Sequence, residues 1–218
     1  MKIITYNNYP DIYDSNGFWI KSTSKIIDNV CHQYRTRAYN VWMSINGRKN
    51  NSYVGFADFQ EFATWCQSKE GYLNVDTNGK FWSIDKDLKF PGNLEYNRDK
   101  CMFIPARINS LFNCQSSINS NLPIGVHFDN SNCRVSGKYV TTCREYITRK
   151  KLIKRFNCPK EAHKQWQIMK ISQINFALKD EELHDECLHV LCEWKNKLQQ
   201  DVDQNKLTEN WMIKVKKQ

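Results

Sequence analysis

Two carboxylates that flank a lysine form the part of the sequence whose residue types could do chemistry. Asp85, Lys86 and Asp87 follow an apolar run and precede a Pro-Gly turn, in the segment FWSIDKDLKFPGN. Carboxylates bind hard divalent cations, and a metal held by them can activate water or stabilise charge on a phosphate. At this point the segment fits three interpretations: a metal site, the remnant of one, or a solvated strand end.

Positive charge is concentrated in the second half of the chain. Eleven basic residues and two acidic ones lie between Arg134 and Lys170, so this segment carries an excess of nine charges, equal to that of the whole chain. A surface that binds a polyanion requires such a concentration. A solvated basic face is the alternative that charge alone leaves open.

Three strand-like segments and a helix-like segment position these cations. The strand-like segments span residues 122–128, 137–145 and 150–156. Period-two alternation puts basic residues and threonine on one face of the middle strand, whereas both faces of the third strand carry lysine. A helix-backed sheet of this kind can lie in a DNA major groove, where arginine reads guanine and lysine contacts phosphates. The candidate contact residues are Arg134, Lys138, Thr142, Arg144, Lys150, Lys151, Lys154 and Arg155.

The first thirty residues are polar and turn-rich, with little periodicity, and two helices are predicted after them. Apolar residues at helical spacing predict one helix across residues 34–45 and another across residues 56–66. Residues 80–90 read as a strand, and Pro105 separates a further short strand from a helical turn. A polar spacer at residues 113–121 looks like a domain boundary.

A final helix is predicted from about Lys179 to Asp203, with acidic residues at its start, where the helix dipole favours them. Its apolar stripe consists of Leu183, Cys187, Leu191, Trp194 and Leu198. This stripe either docks on the body of the protein, which is the commoner outcome, or pairs two copies as a homodimer. The metal-type ligands of the same segment are His184, Cys187, His189 and Cys192. On an intact helix they point in different directions, so we assign them to packing and solvent.

Composition bounds the class of protein. Hydrophobic residues make up 40% of the chain and aromatic residues 13%, which speaks against disorder. No run approaches the roughly 18 to 20 apolar residues of a membrane span, and the first residues lack the apolar core of a signal peptide. Nine scattered cysteines without a Cys-x-x-Cys pair favour a reducing compartment. We therefore expect a soluble cytoplasmic protein with no membrane partner.

The segments LPIGVHF, GKYVTTCRE and KLIKRFNCPKEAHKQW carry a set of motifs. A Gly-Val turn leads into the first strand, an aromatic residue and an arginine lie in the second, a phenylalanine closes the third, and Glu-Ala-x-x-x-Trp opens the helix. This set resembles the DNA-binding domain of plant ethylene-response factors, which implies major-groove reading by a three-stranded sheet. The implied contacts fall on His127, Thr142 and Arg144. Arg144 matches the family, whereas the other two differ from its usual residues, so no sequence preference is carried over.

A second set of motifs precedes it along the chain. In order these are a Tyr/Trp-rich start, Phe-x-x-Phe-x-x-Trp, Asp-Lys-Asp, Gly-Asn, Cys-x-Phe-x-Pro and Asn-Ser-Leu. Together with the Leu-Pro-Ile-Gly-Val segment they resemble phage HNH-type homing endonucleases, over roughly residues 31–175. The resemblance implies a ββα unit that holds Mg²⁺ or another divalent metal through Asp85, Asp87 and either Asn93 or Asn109. Lys86 stands where many of these enzymes have the catalytic histidine, and a lysine between two carboxylates stays protonated and is a poor base.

These observations predict an α+β protein. We expect a small ββα-metal, HNH-like unit with a helical N-terminal part, then a three-stranded antiparallel sheet packed on a helix, then a C-terminal helix. The predicted divisions are an N-terminal extension at 1–30, an HNH-like domain at 31–121, a DNA-binding domain at 122–178 and a helical segment at 179–218.

The leading interpretation is a sequence-specific double-stranded DNA-binding protein derived from an HNH homing endonuclease. It is expected to be nuclease-deficient and to act as a transcriptional repressor in a phage or a phage satellite. The alternative is an active, Mg²⁺-dependent homing endonuclease that nicks or cuts a long asymmetric site, with Asp85, Lys86 and Asp87 as catalytic residues. An RNA-binding or purely structural role of the basic sheet is the third.

Overall fold

A computed structural model describes residues 2–48, 52–112, 122–129 and 137–209. Over these residues the chain is an α+β protein with five helices and ten short strands, which form four small sheets. The predicted linker at residues 113–121 lies outside the described residues. None of the described helices is long and apolar enough to cross a membrane.

The chain begins with a three-stranded sheet, where the sequence pattern predicts little regular structure. Its strands are β1 (Lys2–Tyr9), β2 (Ser22–Ile27) and β3 (Val30–Thr36). The central strand β3 is parallel to β1 and antiparallel to β2. Tyr34, predicted to open a helix, lies in β3 and stacks on Tyr6 of β1, so the helix prediction is wrong over residues 34–36.

Two short helices follow, of which the first packs on this sheet and the second packs on the first. They are α1 (Arg37–Asn46) and α2 (Phe59–Ser68), separated by the two-residue strand β4 (Tyr53–Val54). The carboxylate of Asp58 accepts the backbone N–H of Glu61, whose own carboxylate accepts the N–H of Ala57. These reciprocal bonds start the helix after Asp58, so Phe56 precedes α2 although its spacing predicts a helical position.

A strand pair and a helix form the centre of the molecule. Strand β5 (Ser83–Asp85) is antiparallel to β7 (Met102–Ile104), and α3 (Ala106–Phe112) follows Pro105, as predicted. The intervening strand β6 (Glu95–Tyr96) is parallel to β4. All of β7 is buried, and Phe103 packs against Trp65 of α2. The predicted strand over residues 80–90 is only three residues long, because the chain turns directly after Asp85.

The second half contains a three-stranded antiparallel sheet of order β10-β9-β8. The strands are β8 (Val126–Phe128), β9 (Tyr139–Arg144) and β10 (Lys151–Phe156), and α4 (Pro159–Ala177) packs on one face of the sheet. The N-cap of α4 is Cys158, and Pro159 occupies the first turn of the helix. Because proline lacks the N–H that would be unpaired there, it does not weaken the helix.

The last helix, α5 (Asp185–Asp203), starts six residues later than predicted. The loop before it contains Asp180, which pairs with Arg107 and does not belong to the helix. All five residues of the predicted stripe are buried, and α5 packs on α4. The stripe therefore docks within one chain and is not available to pair two copies.

Candidate functional site

Asp85 ends β5 and is buried, with 7% of its surface exposed. Its Oδ1 atom accepts the backbone N–H of Asp87 at 3.0 Å and that of Leu88 at 2.7 Å. Burial raises the pKa of the Asp85 carboxyl, and the charge of Asp87 raises it further, against the effect of the two hydrogen bonds. Asp85 is therefore the cap of a turn, in surroundings that disfavour its ionised form.

The ammonium of Lys86 lies within the same turn. Its Nζ atom donates to Asp87 Oδ1 at 2.6 Å and to the backbone carbonyl of Asn93 at 2.5 Å. The side chain is 11% exposed and also lies near the Tyr96 ring. A cation of the chain itself thus contacts oxygens of two residues that were predicted to hold a metal.

The other two predicted ligands are Asn93, whose side-chain nitrogen and oxygen are both hydrogen-bonded, and Asn109. The side chain of Asn93 donates to the carbonyls of Lys86 and Glu95 and accepts the N–H of Glu95. Asn109 lies in α3. Within the described residues, no group of three or more His, Cys, Asp or Glu side chains is arranged to hold a metal ion. As arranged, these residues do not fit a metal centre, because Asp85 Oδ1 and Asn93 Oδ1 accept backbone N–H groups and Asp87 Oδ1 accepts the Lys86 ammonium.

The register of β8, β9 and β10 sorts their side chains onto two faces, because opposed residues in an antiparallel sheet lie on the same face. Val126, Thr141 and Cys143 are buried and share the face toward α4. The opposite face, called the basic face below, carries His127, Val140, Thr142, Arg144, Lys151, Ile153 and Arg155. The strands thus bring together the three residues that the ethylene-response resemblance singles out.

Charge is distributed unevenly over the basic face. Arg144 and Lys151 are exposed and directly opposed, and neither forms an ion pair in the described part of the chain. Arg155 instead pairs with Asp129 at 2.5 Å. Val140 lies between Arg155 and His127 in the register and is 3% exposed. One end of the face therefore presents two uncompensated cations, and the other end a neutralised pair.

His127 completes the face with a neutral ring. Burial lowers the pKa of His127, and the charges of Lys151 and Arg155 lower it further, while Asp129 opposes them. The imidazole is therefore neutral at neutral pH. A neutral imidazole has one donor and one acceptor nitrogen, so it can meet either type of group on a base edge.

Lys138, Lys150 and Lys154 are not among the residues that the strand register places on the basic face. Lys154 opposes Thr141 and therefore belongs to the α4 side of the edge strand, although it is exposed. Lys138 immediately precedes β9, and Lys150 immediately precedes β10. Arg134 lies outside the described residues.

Ile153 belongs to the basic face but was not identified from the sequence. It is 54% exposed and directly opposes Thr142, between Lys151 and Arg155 along β10. Period-two alternation puts it on the same face as Lys151 and Arg155, but the predicted contacts on this strand are its basic residues and do not include it. The pairing of Asp129 with Arg155 has no such signal, since it depends on how two distant strands are aligned.

A polar cluster fixes the turn between β9 and β10 to the rest of the molecule. The Tyr146 hydroxyl donates to Asp180 and accepts from Arg107 Nε at 2.9 Å. Arg107, in α3, also contacts Asp180 at 2.8 Å and Glu182 at 2.5 Å. Although burial alone would raise the pKa of Asp180, the hydrogen bonds from Tyr146 and Arg107 lower it below its usual value. The basic face is thereby anchored to the first half of the chain.

Comparison with family models, with curated proteins and with solved structures gives no match for this chain.

Proposed function

We propose that the protein binds double-stranded DNA sequence-specifically through its basic face and acts as a transcriptional repressor that does not cut its site. The observation that carries this proposal is the exposed, opposed pair Arg144 and Lys151 beside Thr142 and Ile153. The resemblance to phage homing endonucleases suggests a phage or a phage satellite as its setting.

The dimensions of the sheet suit a major groove. Neighbouring strands lie about 4.8 Å apart, so three strands span about 10 Å between the outer backbones. The major groove of B-form DNA is about 12 Å wide and accepts an element of this size. Because α4 covers the other face, only the basic face can enter the groove.

The chemistry of the face covers both phosphates and bases. Lys151 can neutralise a phosphate, and no acidic residue opposes it in the sheet. Arg144 has the fork of donors that matches the acceptor pair of guanine. Thr142 and Ile153 lie beside each other and offer a hydroxyl and an apolar contact, which suit a base edge and a thymine methyl group.

Binding without cutting is supported by the turn at Asp85. Lys86 Nζ donates to Asp87 and to the Asn93 carbonyl, so in this arrangement it acts as a hydrogen-bond donor and not as the acceptor of a proton from water. The carboxylate of Asp85 is directed to two backbone N–H groups.

The test is footprinting on the source genome, followed by affinity measurements on the protected site and on unrelated duplexes. Arg144→Ala should reduce discrimination between them by about 1–3 kcal/mol, or roughly 5- to 150-fold. Lys151→Ala should weaken all duplexes alike and reduce the salt slope by about 0.9. Lys164→Ala, an exposed lysine of α4 on the covered side, is the matched control and should change neither. Equal loss in all three variants, or equal competition by RNA of the same length, would contradict the proposal.

Active cleavage is the second candidate, and one observation favours it. Asp85 ends β5 and Asp87 follows it in the turn, and the antiparallel pair of β5 and β7, with β6 between them in sequence, is followed by α3, which resembles the strand, strand, helix order of an HNH unit. The footprinting is therefore repeated with Mg²⁺ and with Mn²⁺. Efficient nicking of the bound site that Asp85→Asn abolishes would favour the endonuclease and overturn the repressor proposal.

A further inference from the structure

Arg37 is a buried cation without a carboxylate partner in the described part of the chain. It begins α1 and is 4% exposed. Its Nε atom donates to the carbonyl of Tyr72 at 2.8 Å and Nη2 to that of Trp82 at 3.1 Å. The guanidinium also lies over the Phe81 ring, 4.0 Å from its centre. All of these partners are neutral, whereas buried charges are normally paired with an opposite charge.

The groups around Arg37 compensate its charge poorly. Burial lowers the pKa of Arg37, and only Tyr72, Cys66 and Asp11 act in the opposite direction. Burial also raises the pKa of Tyr72 and of Cys66 well above neutrality, so both are uncharged. Asp11 is the remaining anion, and its carboxylate accepts from Tyr72 and from the N–H of Ala38 rather than from Arg37.

Arg37 lines a cleft of about 580 Å³ formed by β1, α1 and the segment that leads into β5. Two further cations, Arg48 and Lys80, line the cleft, and no acidic residue does so among its described walls. Arg48 donates to the Tyr96 hydroxyl at 2.5 Å, but burial raises the pKa of Tyr96, so this partner is neutral. The walls also carry polar side chains, namely Asn7, Asn8, Asn40, Ser44 and Ser83.

We propose that this cleft binds a phosphate group, carried either by the backbone of bound DNA or by a free nucleotide. Three cations and several neutral donors suit the charge and the acceptor oxygens of a phosphate. Trp82 also lines the cleft, and its buried indole N–H has no acceptor in the part of the chain that the structure describes. The site is separate from the basic face and goes beyond the function proposed above.

The experiment compares the full-length chain with a double variant, Arg48→Gln combined with Lys80→Gln. Arg37 is left unchanged because its bonds to two backbone carbonyls hold α1 in place. Lys179→Gln is the matched control, since this exposed lysine lies outside both the cleft and the basic face. Thermal unfolding is measured for every variant. If the double variant unfolds at a lower temperature, Lys80→Gln alone replaces it.

The first measurement is the salt dependence of binding to a duplex of unrelated sequence. The second is a titration with inorganic phosphate, followed through the Trp82 indole N–H signal by NMR. If DNA supplies the phosphate, the double variant should reduce the salt slope by about 1.8, or Lys80→Gln alone by about 0.9, and Lys179→Gln should not.

If a free nucleotide supplies the phosphate, the slope stays constant, and inorganic phosphate shifts the Trp82 signal saturably in the wild type but not in the variant. A constant slope together with no saturable shift would overturn the proposal. Failure of the basic face would appear separately, as unchanged discrimination in Arg144→Ala.

Discussion

Replacing Asp85 tests whether its carboxyl group stabilises the fold by accepting hydrogen bonds in the turn or through its negative charge. Asp85→Ala removes the acceptor of two backbone N–H groups, those of Asp87 and Leu88. Leaving one buried and one partly buried donor unpaired should lower the free energy of unfolding by about 2–4 kcal/mol. Asp85→Asn keeps an oxygen at the same place and removes a charge that burial disfavours. Its free energy of unfolding at neutral pH should equal or exceed that of the wild type.

The stability of the protein should also depend on pH, in a direction that the pKa of Asp85 determines. Burial raises the pKa of Asp85 above its usual value, so the folded chain binds this proton more tightly than the unfolded chain. The contribution of Asp85 to stability is therefore greatest at low pH and is lost as the pH rises from the unfolded-state to the folded-state pKa. Asp85→Asn lacks this loss, so its stability relative to the wild type should increase across that window and then stay constant.

Urea unfolding followed by tryptophan fluorescence between about pH 4 and pH 8 measures both effects. Asp76→Asn is the matched control, because Asp76 caps an exposed turn through the N–H groups of Asn78 and Lys80. The backbone bond from Lys80 is the main cause that lowers the pKa of Asp76, so its pH dependence should have the opposite sign. Equal destabilisation by Asp85→Asn and Asp85→Ala at neutral pH would refute the turn-cap account.

Three further substitutions test the packing of the second half, each by urea unfolding. Gly125→Ala should lower the free energy of unfolding by about 2–4 kcal/mol, because Gly125 has φ +76° and a Cβ there would lie 2.3 Å from the Trp166 ring. An unchanged free energy of unfolding would contradict this geometry. Tyr146→Phe should cost about 1–2 kcal/mol by removing the hydroxyl bonded to Asp180, and no loss would mean that the cluster does not anchor the sheet. Leu191→Ala should cost about 2–5 kcal/mol without changing the molar mass in solution, whereas a change in mass would indicate that the stripe joins two copies.

The parts of the fold that could be predicted are those that an apolar run or a proline marks in the sequence. Strand β7, Pro105 and α3 were predicted because apolar runs and a proline mark them directly. The N-terminal sheet was not predicted, since both outer strands are largely exposed and show no alternation. Its pairing also joins segments more than twenty residues apart, which no local pattern reports.

The functional residues also divide into those that the sequence identifies and those that depend on tertiary contacts. Composition and order along the chain identified the basic strands, but the choice between Lys151 and Lys154 depends on a register of one residue. The ion pair of Arg155 with Asp129 and the isolated charge of Arg37 arise from tertiary contacts. For Asp85, the residue type alone predicts a metal ligand, and only burial and the two N–H partners show that it caps a turn.

The ammonium of Lys86 also bears on how this region responds to its surroundings. A turn held together by a bound metal ion loosens when the free metal falls below its dissociation constant. Here the cation is covalently part of the chain, at a fixed stoichiometry, and neither dilution nor a chelator can remove it. The turn between β5 and β6, and α5, which bonds to it through Trp194 and the Leu88 carbonyl, should therefore keep their structure whatever the supply of divalent metal in the cell.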